Sequence, residues 1–572
     1  MSMNQKKATE VKRKRGGYRT VPCIIANESF EKVAVVGLRV NMILYLLQEY
    51  RFDPATAAIV IFLWNALTNF LPIICAFLSD SWLGRFRVIA WGTIIHLVGL
   101  VVLWLTAIVK HARPPQCDIE PCANATALQL LILFSSLVLM ALGAGGIRSC
   151  TLAFTADQIN NLENPQNERT MKSFFNWYYV SVGISITVSM VFIVYIQVKA
   201  GWIVGFGISL GIVSLSAIMF FGGSSIYIKV KPNKSLLTGF AQVIVAAWKN
   251  RHLPLPPKNS DIWYFHKSSI LVQPTNKVSF LNKACIMKNK EKDVDIDGIP
   301  IDPWSVCTVR QVEELKAIIK VLPIWSTGII LAATISQQSF SVVQASTMDR
   351  KVFNIDVPPT SFTLFIILTL TMWVLVYNRI IVPLFPKDRI LKVKQRTGIG
   401  LMISCLATVM ATLVEKKRRN EALNEGFIDN PKGVVNMSAM WLVPQYCLHG
   451  LAQGLNFIGQ IEFYYSQFPK TMSSVAVSIS TLSLGVGNLV GSLIVKVVKD
   501  GTRKGGRPGW LASNINRGHY DYYYGLLFIL NLVNLLCFLI LSWAYGSTHD
   551  IKNWDENVDK ISTSEKEIIS TT

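Results

Sequence analysis

Charge is scarce in this sequence, and its scarcity is uneven. Of 572 residues only 16% are charged while 51% are hydrophobic, where a soluble domain carries about a quarter charged. The charges fall in short runs, and the apolar stretches between them reach roughly 20 residues or more, enough to cross the ~30 Å hydrocarbon core of a bilayer as helix. Lipid offers no partner to a backbone N–H or C=O, so the chain must supply its own. The ~10-residue alternation of a transmembrane barrel is missing, which leaves helices. Also missing is any histidine and cysteine cluster at metal-ligand spacing; most of the ten cysteines are scattered through apolar segments, where Cys behaves as a small hydrophobe. No nucleophile and base constellation is visible, so neither an enzyme nor a cofactor is expected. Behind Lys6, Lys7, Lys12, Arg13, Lys14 and Arg15 there is no short apolar run ending in a small-residue cleavage site, and the first hydrophobic segment is expected to be retained.

What is present is an all-α membrane pattern. Helices are expected over 21–47, 56–80, 87–110, 126–156, 174–196, 201–228, 313–343, 360–384, 396–415, 437–466, 473–497 and 520–546. A polar break at 229–312 divides these twelve into six and six. Within it Leu253-Pro254-Leu255-Pro256-Pro257 stops any long helix, with room for a short amphipathic one before. The expected organisation is a basic N-terminus (1–20), a six-helix bundle (21–228), a central loop (229–312), a second six-helix bundle (313–546) and a tail (547–572). Two bundles joined this way suit an alternating-access transporter with its site between them.

The net charge of +21 is better read as basic loops that orient the chain than as a nucleic-acid surface. Seven basic residues lie in the first 20 positions, thirteen in 229–312 and six from Arg379 to Arg396, so both termini and the central loop are expected in the cytosol. Lys416-Lys417-Arg418-Arg419 and the six basic residues from Lys496 to Arg517 then face outward against the rule. On the outer side, Cys117 and Cys122 sit in a polar loop beside Asn124-Ala125-Thr126, candidates for a disulfide and a glycan in an oxidising compartment.

Ionisable groups inside spans are costly and by default mark a pathway. The first helix carries Glu28, Glu31 and Lys32, at i, i+3 and i+4 on one face. Two carboxylates beside one ammonium could exchange a proton as a group; a static cluster locking helices is the plain alternative. Arg39 lies three turns along the same stripe. In the fourth helix Gly143-Ala144-Gly145-Gly146-Ile147-Arg148 permits close helix approach and aims Arg148 at Glu28, Glu31 or an anionic substrate, unless it is only a counter-ion. Asp80, Gly84 and Arg85, between the second and third spans, could form a gating latch or a simple capped turn. Lys316 reads as a snorkelling residue and Lys320 as a substrate or charge partner. Glu462 reads as a gate partner or a solvated group, and His449 as structural more than proton-bearing. Trp177, Tyr178, Tyr179, Trp325 and Tyr446 could line a cavity, although packing is the commoner role.

At these residues the sequence resembles the plant nitrate/peptide transporter family, among the proton-dependent oligopeptide transporters of the major facilitator superfamily. The resemblance runs through Glu28-Ser29-Phe30-Glu31-Lys32, Asp80 to Arg85, Gly145-Gly146-Ile147-Arg148, Phe174-Phe175-Asn176-Trp177-Tyr178-Tyr179, Pro323-Ile324-Trp325 and Gln460-Ile461-Glu462-Phe463-Tyr464, nearly the whole chain. It implies a major facilitator fold and proton symport through the first-helix glutamates coupled to Arg148. Departures bear on the substrate. Ile335 stands where one branch has its nitrate-linked histidine. Gln453 stands where peptide carriers have a glutamate, and Val35 and Val36 where they have tyrosines. Val88 stands where other members have a phosphorylated threonine, and Arg148 where many have lysine; Arg39 stands where closer relatives carry an apolar residue.

The expectation is a proton-coupled carrier of a small organic solute in the plasma or vacuolar membrane, with protons and lipid as its other partners and no nucleic acid. A nitrate carrier is the alternative, ahead of a dipeptide carrier or a non-transporting receptor.

Overall fold

A computed structural model describes residues 16, 17, 19–115, 124–159, 167–230, 236–256, 264–266, 273–287, 293, 295, 300–352, 355–384, 392–431, 433–468, 472–503 and 508–545. Among them the first half of the chain forms α1 (Val21–Gln48), α2 (Pro54–Leu78), α3 (Arg85–Ile108), α4 (Ala127–Ile159), α5 (Asn167–Val188) and α6 (Trp202–Gly222). The second half forms α8 (Val309–Ser336), α9 (Gln338–Ser346), α10 (Leu364–Val376), α11 (Val393–Asn424), α12 (Val443–Gln467), α13 (Ser473–Thr502) and α14 (Tyr520–Tyr545). Between them α7 (Leu236–Lys249) is the short amphipathic helix for which the sequence left room ahead of the prolines. Its Phe240, Val243 and Ala246 pack with Val309, Val312 and Leu315, so the central segment is docked on the second half.

Ten of the helical stretches are long and apolar enough to cross a bilayer. The other two spans, α1 and α12, carry buried polar groups in their place: Asn27, Glu28, Glu31 and Asn41 in one, Gln445, His449, Asn456 and Gln460 in the other. The twelve-span, two-bundle fold is therefore the one expected. Boundaries differ where caps and irregular turns intervene. Asp53 caps α2, accepting the Thr56 N–H at 3.1 Å. α2 ends in a π turn over Ser79–Leu83 that closes on Gly84 at φ +80°, a conformation few side chains adopt. α11 continues nine residues past the expected end at 415, to Asn424. The tenth span starts at Val443, not 437, because Val435–Ser438 pairs as a strand with Met348–Asp349.

The first turns of α1 and α8 lie on the side of the central segment, here the near side; Gln48 and Ser336 lie at the far side. The largest apolar cluster is continuous across both halves at the far end, from Leu38, Tyr45 and Leu103 to Phe340, Val495 and Tyr523. At the near end it divides: Ile24, Ile89, Phe154 and Phe220 group within the first half, Val321, Phe463 and Phe468 within the second. Polar bridges follow the same plan. Lys499 Nζ reaches Asp53 Oδ2 at 2.9 Å and Thr56 Oγ1 at 2.7 Å, Lys199 meets Asp356 at 3.4 Å, and Thr360 hydrogen-bonds Asn41. The molecule is clasped at the far side.

The far side also explains basic residues that the sequence left unaccounted for. Arg418 is not a free outward charge; it is wholly buried, bound bidentately by Glu415 at 2.8 and 2.9 Å, with Asn516 Oδ1 at 2.7 Å. Arg419 donates to the Gly518 carbonyl, Lys417 stands over the Trp441 ring at 3.9 Å, and Arg517 pairs with Asp429.

Candidate functional site

The three first-helix charges divide between two sets of direct partners. Lys32 Nζ lies 2.9 Å from Glu28 Oε1, an i to i+4 pair, and the Tyr178 hydroxyl donates to Glu28 Oε2 at 2.6 Å. Glu31, fully buried, turns to α4, where Arg148 Nη2 lies 3.1 Å from its Oε1. Removing Arg148 would strand the buried Glu31 carboxylate without its partner, while Arg148 itself, 23% exposed, keeps some solvent. Arg39 stands over the Trp64 ring at 5.7 Å, and its Nε has no hydrogen-bond partner among the described residues. Glu31 Oε2 and Arg148 Nε are likewise unpartnered.

The glycines before Arg148 set this geometry. A Cβ at Gly143 would fall 2.4 Å from the backbone nitrogen of His96, and one at Gly146 3.1 Å from the Gly92 Cα, both on α3. A Cβ at Gly145 would fall 2.9 Å from Leu71 Cβ on α2. Three helices thus close on one another at backbone distance. Just beyond Lys32 a side chain from another segment reaches the backbone of the first helix. Ser189 Oγ donates to the Val33 carbonyl at 2.6 Å and accepts the Gly37 N–H at 2.7 Å, tying its segment to α1. Gly37 is required here, since a Cβ would lie 2.8 Å from the Ser189 carbonyl.

At the near end, Asp80 lies 3.6 Å from Arg85, but the closer partner is Asp157 on α4, at 2.7 Å. The second half repeats this. Arg396, buried near the start of α11, bonds Glu462 near the end of α12 and stands over the Tyr377 ring at 4.8 Å. Each half thus joins its third and fourth spans with an arginine and a carboxylate, a repetition the sequence does not display.

Other residues lie apart from this centre. Lys316 does not snorkel; it is buried, with Glu313 at 2.7 Å and the Thr275 carbonyl at 2.7 Å, because the docked central segment covers it. Lys320 Nζ lies over the Tyr545 ring at 5.3 Å. The Trp325 indole donates to the Ile479 carbonyl at 2.8 Å, a packing role. Tyr446 and His449 are buried in α12 with unpartnered Oη and Nδ1 among the described residues, and Gln453 is half-buried one turn on. Trp177 is 70% exposed, as an aromatic at a membrane interface would be. Asn124 is exposed; Cys117 and Cys122 lie outside the described residues, as does the Tyr179 side chain.

Sequence reading missed Asp157, Arg396, Ser189 and His96. His96 alone had a plain signal, an ionisable residue within an otherwise apolar span.

Comparison with known proteins identifies the family and the fold. The family model described as POT family matches residues 86–511. The chain belongs to the POT family. In Arabidopsis thaliana, Protein NRT1/PTR FAMILY 1.2 is 45% identical over 560 residues, covering 96% of this chain and 92% of that protein. Protein NRT1/PTR FAMILY 1.1 is 45% identical over 571 residues, covering 98% and 96%. Among solved structures, the POT family transporter PepTSo superposes with a TM-score of 0.67 at 18% identity, over 92% of this chain and 98% of that one, which fixes the fold. As a POT family member of the plant NRT1/PTR branch, the protein is an integral membrane transporter, proton-coupled and not an enzyme.

Proposed function

We propose that this POT family protein moves a small organic solute, a specialised metabolite or hormone-like compound, together with protons by alternating access. It does so in a plasma or vacuolar membrane with termini and central segment in the cytosol. Glu28, Glu31 and Lys32 are the coupling residues, and Arg148 is the charge partner through which protonation is felt. The observation that carries this reading is the ion pair of buried Glu31 with half-buried Arg148, which joins α1 to α4. A proton on Glu31 cancels the attraction that holds Arg148, and the freed guanidinium then turns to a ligand or to the opposite half. The far-side clasp makes the present conformation the one that opens toward the near side, where solute and proton would leave.

Three cations, Lys32, Arg39 and Arg148, face two carboxylates, which supports an anionic or polar neutral solute. Ile335 and Gln453 argue against the nitrate-linked histidine route and against recognition of a peptide's amino group. The test is uptake of a substrate panel, labelled nitrate included, in oocytes with current recording at two external pH values. Accumulation and inward current should rise in acid and vanish in Glu31→Gln. Wild-type accumulation by that variant at equal surface expression would overturn the assignment.

A further inference from the structure

The sequence holds four Asn-x-Ser/Thr patterns, at Asn27, Asn124, Asn233 and Asn436. A glycan is bulky and polar, so its asparagine must stand on the surface, and it must stand on the lumenal face, where the sugar donor is presented. The fold sorts the four. Asn27 is wholly buried in α1, with Ser216 Oγ 2.6 Å from its Oδ1. Asn233 belongs to the central segment, outside the described residues. Asn124 is exposed three residues ahead of α4. Asn436 lies on the far side in the Val435–Ser438 strand, which stands where the sequence suggested the start of a helix. Val435 and Met437 are buried there, while Asn436 and Ser438 alternate with them and are exposed.

The strand also stands clear of the bilayer. α11 has 32 residues; its length of about 48 Å far exceeds the ~30 Å hydrocarbon core. Charge is costly in lipid, and exposed Lys416 and Lys417 mark where the helix leaves it. Glu425, at the helix end, accepts the Asn436 backbone N–H at 3.1 and 3.2 Å. Asn436 is thereby held about 15 Å beyond the level of residue 415.

We infer that Asn436 is an N-glycosylation acceptor, taking an oligosaccharide from a dolichyl diphosphate-linked donor as the chain enters the endoplasmic reticulum. Asn436 Nδ2 bonds to C1 of the leading N-acetylglucosamine and gives up one proton; the C1–O bond to the diphosphate breaks, and dolichyl diphosphate leaves. Met437 at the middle position keeps the pattern competent, as Pro would not. Ser438 supplies the hydroxyl. In the folded chain that hydroxyl accepts the Met440 N–H at 3.3 Å, a bond formed only once the following turn is made, so transfer to the entering chain precedes it. Val435 and Met437 point the other way, into the apolar cluster with Met348 and Tyr446, so glycan and packing occupy opposite faces of the strand. The inference rests on the proposed orientation, with termini and central segment in the cytosol, and on nothing about the transported solute. It holds for a plasma or a vacuolar membrane, since both are reached through the endoplasmic reticulum.

The experiment is translation of the full chain on rough microsomes, with the membrane-inserted fraction run on a gel before and after endoglycosidase H. Wild type should show a mobility step that the enzyme removes. Asn436→Gln and Ser438→Ala should each lose one glycan's step, and Ser438→Thr, which restores the pattern, should keep it. Asn124→Gln should leave the Asn436 step in place. Because transfer acts on the entering chain, the readout does not depend on a variant's final fold. If Asn436→Gln and Ser438→Ala migrate as wild type does, the inference is overturned. Asn233 is a built-in control for the orientation beneath it. Should Asn233→Gln lose a step, the central segment is lumenal and the orientation reading itself fails; should Asn233→Gln and Asn436→Gln both leave the pattern unchanged, the inference fails alone.

Discussion

Replacing Lys499 with Gln should tilt the protein away from the conformation described here. Lys499 Nζ contacts both oxygens of Asp53 and the Thr56 hydroxyl, at 2.9, 3.0 and 2.7 Å, and about a quarter of each charged side chain is exposed. Enclosed to that degree, the contact exceeds an open surface pair at 0–1 kcal/mol and falls short of a fully buried one at 3–5; about 1–2 kcal/mol is a reasonable share. The clasp bridges the halves only when the far side is closed, so its loss acts on the equilibrium between states, by a factor of roughly 5–30. Lys499→Gln leaves the Asp53 cap on α2 in place, which Asp53→Ala would not. Spin-labelled unnatural residues at Lys110 and Lys351, both exposed at the far end of opposite halves, would report the distance by double electron–electron resonance, and the long-distance population should grow. Burial alone would raise Asp53, but its bonds from Thr56 and Lys499 outweigh that and hold it below the usual 3.8. A depressed carboxylate contributes fully above its free value and is lost only as pH falls through the lower bound one. The wild-type clasp should therefore stay closed at mildly acidic pH. An unchanged distance distribution in Lys499→Gln, or a wild-type clasp that opens near pH 5 through Asp53, would refute the reasoning.

Three further outcomes follow from buried geometry. Arg418→Met leaves Glu415 uncompensated and should cost about 3–5 kcal/mol of stability, seen as a lower melting temperature in detergent that Glu415→Met, Arg418→Met together largely restores. Gly143→Ala drives a methyl into the backbone of His96 and should cost several times the ~1 kcal/mol that alanine normally gains over glycine in a helix; surface expression and melting would both drop, and a more stable variant would contradict the packing described. Cys307 lies just before α8, where burial and the nearby Asp302 push its thiol up to about 12. It should resist iodoacetamide near pH 8 in the folded protein and react only after denaturation, as peptide mapping of the alkylated chain would show.

Apolar runs, proline breaks and the six-and-six division were legible because they are local: a span either is or is not apolar enough for lipid. The cost of charge in lipid likewise picked out Glu28, Glu31, Lys32 and Arg148 before any contact was known. Partnership was not legible. Lys32 with Glu28 is four residues distant and could be read from helical spacing, but Glu31 meets Arg148 and Arg85 meets Asp157 across sequence separations of 117 and 72 residues. Lys316 looked like a snorkelling lysine because nothing local announces that the central segment folds back over it. Arg418 looked like an orienting charge because its carboxylate partner is one turn away but its burial depends on Thr347 and Asn516. By itself the sequence determined a helical chain that must live in lipid and must hold charge there, since hydropathy and helical period are properties of neighbours. Only the tertiary structure decided which charges neutralise one another, which acceptors remain bare and which side of the molecule is shut, since those depend on how close helices come, and here glycines at Gly37, Gly143 and Gly146 set that distance.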